Sequence, residues 1–183
     1  AVERIDLLFR SESALTGIST GFTDLDNRTA GLQNSDLIIL AARPSTGKTA
    51  LALDIARRVA VNHNKPIGFF SLEMSDQQLV DRMLAAESGV DSWKLRTGKL
   101  SNDDEYEKLQ AAMEKLSKAP IHIIDQADMN IVKMKSAARR LKNEYGLDML
   151  IVDYLQLMSP TLTKGNDSMV QQITEISRSL KIL

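Results

Sequence analysis

The stretch Asp36-Leu-Ile-Ile-Leu-Ala-Ala-Arg-Pro-Ser-Thr-Gly-Lys-Thr49 decides how the chain is read. Leu37–Ala42 is a short apolar run of the kind that forms a buried strand, and Lys48–Val61 has helical spacing. Between them, Ala42-Arg-Pro-Ser-Thr-Gly-Lys-Thr49 matches a phosphate-binding loop, with Ala42 in place of the usual first glycine. Such a loop turns backbone N–H groups inward, and the helix that follows adds the positive end of its dipole. Ala42, Arg43, Pro44, Ser45, Thr46 and Gly47 are therefore expected to wrap a nucleotide's phosphates, together with Lys48, Thr49 and Ala50 at the helix start. Gly47 permits close approach. Lys48 is expected to reach the β- and γ-phosphates, and the Thr49 hydroxyl to ligate Mg²⁺. A chance match is expected in roughly one chain in a hundred of this length, before the strand–helix context is counted.

Outward from this loop, strands and helices alternate. Pro66–Ser71, Ile121–Ile124 and Asp148–Val152 read as strands. Ser75 with Gln78 is a capping box, and Gly89 closes that helix. A second helix begins near Asn102, with Glu105 at the matching position, and stops before Pro120. Asn130–Tyr145 is a helix closed by Gly146. Val170–Leu183 is helical, with apolar residues at 170, 173, 176, 180 and 183. Continuous apolar strands separated by helices predict an α/β fold, a mostly parallel sheet flanked by helices. The last helix runs to the final residue with no following strand, so the chain is expected to be cut at Leu183. Val2–Phe9 carries a short amphipathic helix signal, and the Ser-, Thr- and Gly-rich stretch Ser11–Gly21 reads as a linker. Residues 1–15 are thus expected to be a linker helix and linker, and 16–183 the nucleotide-binding domain.

Parallel sheets bind ligands at the carboxyl ends of their strands, and carboxylates follow three of these. Asp153, after Met149-Leu-Ile-Val152, ends the hydrophobic run of a Walker B strand and is expected to serve the Mg²⁺. Glu73, in Ser71-Leu-Glu-Met-Ser75, has two readings. It can activate the water attacking the γ-phosphate, or act as a helix-dipole partner just ahead of a helix. Asp125 reads as a polar strand end. Gln156 reads either as a sensor of the γ-phosphate or a subunit contact, or as a satisfied buried polar group. His63 and His122 lack partner spacing and read as structural. Trp93 reads as packing, the methionines as core, and Arg139, Arg140 and Lys142 as a solvated helix face.

The 183 residues carry 23 basic and 24 acidic side chains, a net charge of −1. That argues weakly against a small autonomous nucleic-acid binder, but not against one loop per subunit of a ring. The longest apolar runs are far short of the roughly 20 residues of a membrane span. The absence of cysteine excludes disulfides, cysteine-based zinc sites and thiol nucleophiles.

Together these motifs resemble the C-terminal RecA-like motor of the bacterial DnaB-type replicative helicases. Thr16-Gly-Ile-Ser-Thr-Gly-Phe-Thr-Asp-Leu-Asp26 and Thr29-Ala-Gly-Leu32 resemble the lead into that motor. The Ala-Arg-Pro-Ser lead of the phosphate loop is similar to its Walker A. Ser71-Leu-Glu-Met-Ser75 is similar to its catalytic-glutamate motif, and Ile151-Val-Asp-Tyr-Leu-Gln-Leu-Met158 to its Walker B. Ile176-Ser-Arg-Ser-Leu-Lys181 resembles the start of the next helix. The resemblance implies a cytoplasmic ATP-dependent helicase forming a homo-hexameric ring on single-stranded DNA, with primase and a helicase loader as partners and no membrane. It implies that Lys48 and Thr49 bind phosphate and Mg²⁺, that Glu73 activates water and that Asp153 serves the metal. Val2–Phe9 would dock on the neighbouring subunit. Ser159–Asp167 falls where the family has a channel-facing loop, and its single basic residue, Lys164, argues against strong DNA contact. The family's arginine finger and second DNA loop lie past Leu183, so this stretch alone is expected to bind nucleotide without efficient turnover or unwinding. Rival readings are a RecA-like recombinase or single-strand-dependent ATPase, a P-loop small-molecule kinase and a nucleotide-gated assembly module. The Ser71–Ser75 motif and the Ala-Arg-Pro-Ser lead favour the helicase, no lid supports a kinase, and Glu73 argues mildly against a scaffold.

Overall fold

A computed structural model describes residues 15–126, 128–158 and 169–183. The expected helix at Val2–Phe9 and the polar loop Ser159–Asp167 lie outside the described residues. The chain divides into two units, Ala1–Ile38 and Ile39–Leu183.

In the second unit, β1 (Ile67–Ser71), β2 (Ile121–Ile124) and β3 (Met149–Asp153) form a parallel sheet in the order β2-β1-β3. The central strand, Ile67-Gly-Phe-Phe-Ser71, is buried at every position. Helices cover both faces of such a strand, so its sequence is a continuous apolar run rather than an alternating one. Phe70 joins a core cluster with Met129, Ile131, Met134, Met158 and Ile176. A Cβ at Gly68 would come within 3.2 Å of methyl groups of Leu141, Leu147 and Leu150, so this position keeps the sheet and a helix close. Register pairs Phe70 with Ile124 on one side and with Val152 on the other, and Ser71 with Asp153.

The helices end where local chemistry ends them. In the second unit, α2 (Lys48–His63) buries Leu53, Ala56, Val59 and Ala60 and packs on all three strands. The next helix, α3 (Asp76–Ser88), has the Ser75–Gln78 capping box and a left-handed Gly89 at its end. Asn102 caps α5 (Asp103–Lys118), and Asn130 caps α6 (Ile131–Tyr145). The last helix, α7 (Met169–Lys181), buries Ile176. Between α3 and α5, the short α4 (Ser92–Thr97) is capped by Asp91. No helix among the described residues is long and apolar enough to cross a membrane.

In the first unit, α1 (Thr23–Thr29) lies within the segment whose ends, Ile18 and Leu32, pair in an antiparallel bridge. The buried Asp26 carboxylate accepts hydrogen bonds from Ser19 Oγ at 2.7 Å, and from the Thr20 amide and hydroxyl at 2.8 Å each. Residues 16–21, expected to belong to a linker, are instead held in place. Their serine, threonine and glycine content serves a hydrogen-bonded turn rather than a free chain.

Two further expectations need correction. Leu37–Ala42 forms no strand and pairs with none of the described strands, and Ile39 is 64% exposed. Apolar, β-branched residues favour a strand only where a neighbouring ladder pairs with them, and none does among the described residues. Trp93 does not pack inside; it is 53% exposed, with Lys99 Nζ 5.7 Å from its ring centroid. Its place on a two-turn helix leaves one side in water. The solvated face at Arg139, Arg140 and Lys142 is as expected, as is the burial of Met83, Met129, Met134 and Met158, whereas Met113 is exposed.

Candidate nucleotide site

The loop 42–47 leads directly into α2. Thr46 donates its hydroxyl to the Arg43 carbonyl at 2.7 Å, which closes the turn. Gly47 is the N-cap of α2, with φ 96° in the left-handed region, where a Cβ is strained whatever the space around it. No side chain caps this helix start, and its first turn holds no acidic residue. The first-turn N–H groups of a 16-residue helix are therefore available to an anion. That is what a phosphate-binding loop requires.

Asp153 stands at the last position of β3, 4% exposed. Its two carboxylate oxygens serve different partners. Lys48 Nζ lies 3.1 Å from Oδ1, and Thr49 Oγ1 donates to Oδ2 at 2.6 Å. A buried carboxylate without partners is costly, so this pairing explains how Asp153 is tolerated there. The Tyr154 ring completes the pocket around the lysine, with Lys48 Nζ 3.9 Å from its centroid. Tyr154 is not among the residues expected from the sequence; its position directly after the Walker B aspartate is the one signal that could have found it. The Thr49 hydroxyl and Asp153 carboxylate form a hard-oxygen donor pair that fits Mg²⁺, which takes few protein ligands and completes its shell with substrate phosphates and water. Among the described residues, no group of three or more histidine, aspartate or glutamate side chains gathers as a separate metal site.

Glu73 lies two residues beyond Ser71, the β1 partner of Asp153. It is exposed, and no hydrogen bond or ion pair from the described residues holds its carboxylate. The loop around it is tightly held. The Leu72 amide donates to the Asp153 carbonyl at 2.8 Å, which ties this loop to the end of β3. Asp125, read as a polar strand end, accepts from the Asp76 amide at 3.1 Å and so anchors the start of α3. Gln156 falls on a single 3₁₀ turn, Leu155–Leu157, and is exposed, which excludes its reading as a buried polar group. The structure thus brings Lys48, Thr49 and Asp153 into direct contact. It leaves Glu73 and Gln156 without such bonds near the same sheet edge. His122 stacks on Tyr145 with centroids 4.3 Å apart, in keeping with a structural role.

Residues 17–183 match the model of the DnaB-like helicase C-terminal domain. The chain is 49% identical over 181 residues to the replicative DNA helicase DnaB of Geobacillus stearothermophilus. It is 46% identical over 179 residues to the replicative DNA helicase DnaC of Bacillus subtilis. In both cases it is matched over almost its full length, 99% and 98%, yet spans only 39% of the relative. Among solved structures, one described as an ATPase domain superposes with a TM-score of 0.89 at 31% identity, covering 99% of this chain and 64% of that one. A DnaB-like replicative helicase, described with its interactions with primase, superposes at 0.88 and 31% identity, covering 99% of this chain and 43% of that one. The fold is thus the α/β, RecA-like fold of these ATPase domains.

Proposed function

The chain belongs to the DnaB-like helicase C-terminal domain family, and from that premise we propose that it is the ATP-hydrolysing motor domain of a hexameric replicative DNA helicase. The whole protein would translocate on single-stranded DNA in the cytoplasm and unwind the duplex at the fork, with primase and a helicase loader as partners. Residues 1–15 would be the linker helix and linker, docking on the neighbouring subunit, and 16–183 the motor.

One observation carries the nucleotide reading: Lys48 and Thr49 at the start of α2 share the two oxygens of Asp153 at the end of β3. This juxtaposition brings a cation, a hydroxyl and a carboxylate to one point beside an uncapped helix start. In our reading, the loop Ala42–Ala50 wraps the phosphates, its backbone N–H groups (all but Pro44 have one) donating to them, and Lys48 exchanges its contact with Asp153 for the β- and γ-phosphate oxygens. Thr49 and Asp153 would hold Mg²⁺, which when bound would supply charge neutralisation for the phosphates. Gln156 lies close enough in sequence to Asp153 to report on the γ-phosphate. Glu73 accepts a proton from the attacking water as its oxygen bonds to the γ-phosphorus. The bond to the bridging oxygen then breaks, and ADP leaves with that electron pair.

ATP hydrolysis by the full-length protein, measured with and without single-stranded DNA, tests the motor reading. Stimulation of several-fold supports it; a rate indifferent to DNA contradicts it.

A further inference from the structure

Ser71 is buried to 2% exposure at the end of the central strand. Its hydroxyl makes two hydrogen bonds to one residue. Ser71 Oγ donates to the Met74 carbonyl at 2.6 Å and accepts from the Met74 amide at 3.1 Å. Only a group that is both donor and acceptor can do this, and a hydroxyl is the smallest that can. The bonds clamp a turn in which Leu72 and Glu73 are the two intervening residues.

The clamp is reinforced from three sides. The Leu72 amide is held by the Asp153 carbonyl at 2.8 Å. Ser75 and Gln78 close a capping box just after the turn. The Asp76 amide is held by Asp125 Oδ2 at 3.1 Å. Within this bracket, Glu73 has an exposed carboxylate that bonds to none of the described residues, while the backbone on both sides of it is fixed. A rigid backbone beneath a free carboxylate holds a proton acceptor in place without using up its acceptor capacity.

We propose that Ser71 is a positioning residue for Glu73, its hydroxyl setting the turn that presents the Glu73 carboxylate to the nucleotide site. The inference rests on the proposed role of Glu73 as the base. Loss of the hydroxyl leaves nucleotide binding alone and slows the chemical step, because the turn lies outside the phosphate loop.

The test is a cycle of variants in the full-length protein: S71A, S71T, E73Q and S71A/E73Q. Steady-state ATP hydrolysis with single-stranded DNA, ATP affinity by calorimetry and the thermal midpoint are read for each. S71A should lower kcat by about 10-fold or more, the scale of a misplaced catalytic group, with ATP affinity within about twofold of wild type. S71T, which keeps the hydroxyl, should recover most of the rate even where S71A folds poorly. In the E73Q background, S71A should change kcat by less than about twofold, since it acts through the missing carboxylate. If E73Q is impaired while S71A turns over at the wild-type rate, the positioning role fails and the role of Glu73 stands. An equal S71A penalty in both backgrounds also overturns it. Wild-type turnover by E73Q overturns the role of Glu73 and the inference with it.

Discussion

Thr49 donates a 2.6 Å hydrogen bond to Asp153, although 104 positions separate the two in the chain. The same carboxylate receives Lys48 through its other oxygen at 3.1 Å. A metal that accompanies the nucleotide would therefore meet both of its expected protein oxygens already together. D153N removes the charge but keeps the shape. Chelation of Mg²⁺ should weaken ATP binding by the wild type about 10-fold, and D153N should lose most of that dependence. Titration of a fluorescent ATP analogue with and without chelator measures it; equal dependence in both proteins would move the metal elsewhere.

Glu73 is exposed, with no hydrogen bond from the described residues, within the turn that Ser71 and Met74 close. E73Q should bind ATP with near wild-type affinity and hydrolyse it about 10²-fold more slowly or worse, the usual cost of losing a general base. Single-turnover hydrolysis in the full-length protein checks this.

Arg57 and Glu87 pair between α2 and α3 with little exposure, and Arg57 also pairs with Asp54. Lys115 reaches Glu87 at 3.1 Å from a mostly exposed position. Removing the buried cation leaves a buried carboxylate undercompensated, so R57A should cost about 3 kcal/mol. Removing the exposed one should cost less than about 1 kcal/mol. Urea denaturation of R57A and K115A compares them, and equal losses would contradict the difference in burial.

The first unit depends on Asp26. Burial pushes its carboxyl up, but hydrogen bonds from Ser19, Thr20 and Gly21 outweigh this and hold it below its ordinary value. Asp54 behaves alike: burial raises its carboxyl, and Arg57 and Arg58 hold it down. A carboxyl depressed in the folded state contributes stability that is complete above its unfolded value near pH 4. That contribution is lost as pH falls through the lower folded value. D26A should cost roughly 2 kcal/mol and flatten the acid limb of stability. Hydrogen exchange at the Thr20 amide, followed from neutral to acid pH, reports it locally.

How much of the fold and site is legible in the sequence depends on the range of the forces involved. Caps are local, so Ser75 with Gln78, Asn102 with Glu105, and Asn130 with Gly146 locate α3, α5 and α6 to within about a residue. The strands of the sheet are readable because their runs are largely apolar, although only β1 is buried throughout, and β2 carries His122 and is half-buried. Leu37–Ala42 satisfies the same pattern and still pairs with no strand of the sheet, since pairing depends on a partner that no local pattern encodes. The helices α1 and α4, of seven and six residues, are too short for periodicity to register. Lys48, Thr49, Asp153 and Glu73 are each marked by their motifs. The contact of Tyr154 with Lys48 and the clamp of Ser71 on Met74 are matters of three-dimensional geometry, and no spacing announces them.

Calorimetric titration of ATP and Mg²⁺ into this chain and into its K48A variant tests the nucleotide site most directly. The expected result is saturable binding by the wild type and an affinity lower by about 100-fold or more in K48A, the loss of charge-assisted bonds worth about 3 kcal/mol. Equal affinity in the two proteins would contradict the assignment of this loop to a nucleotide's phosphates.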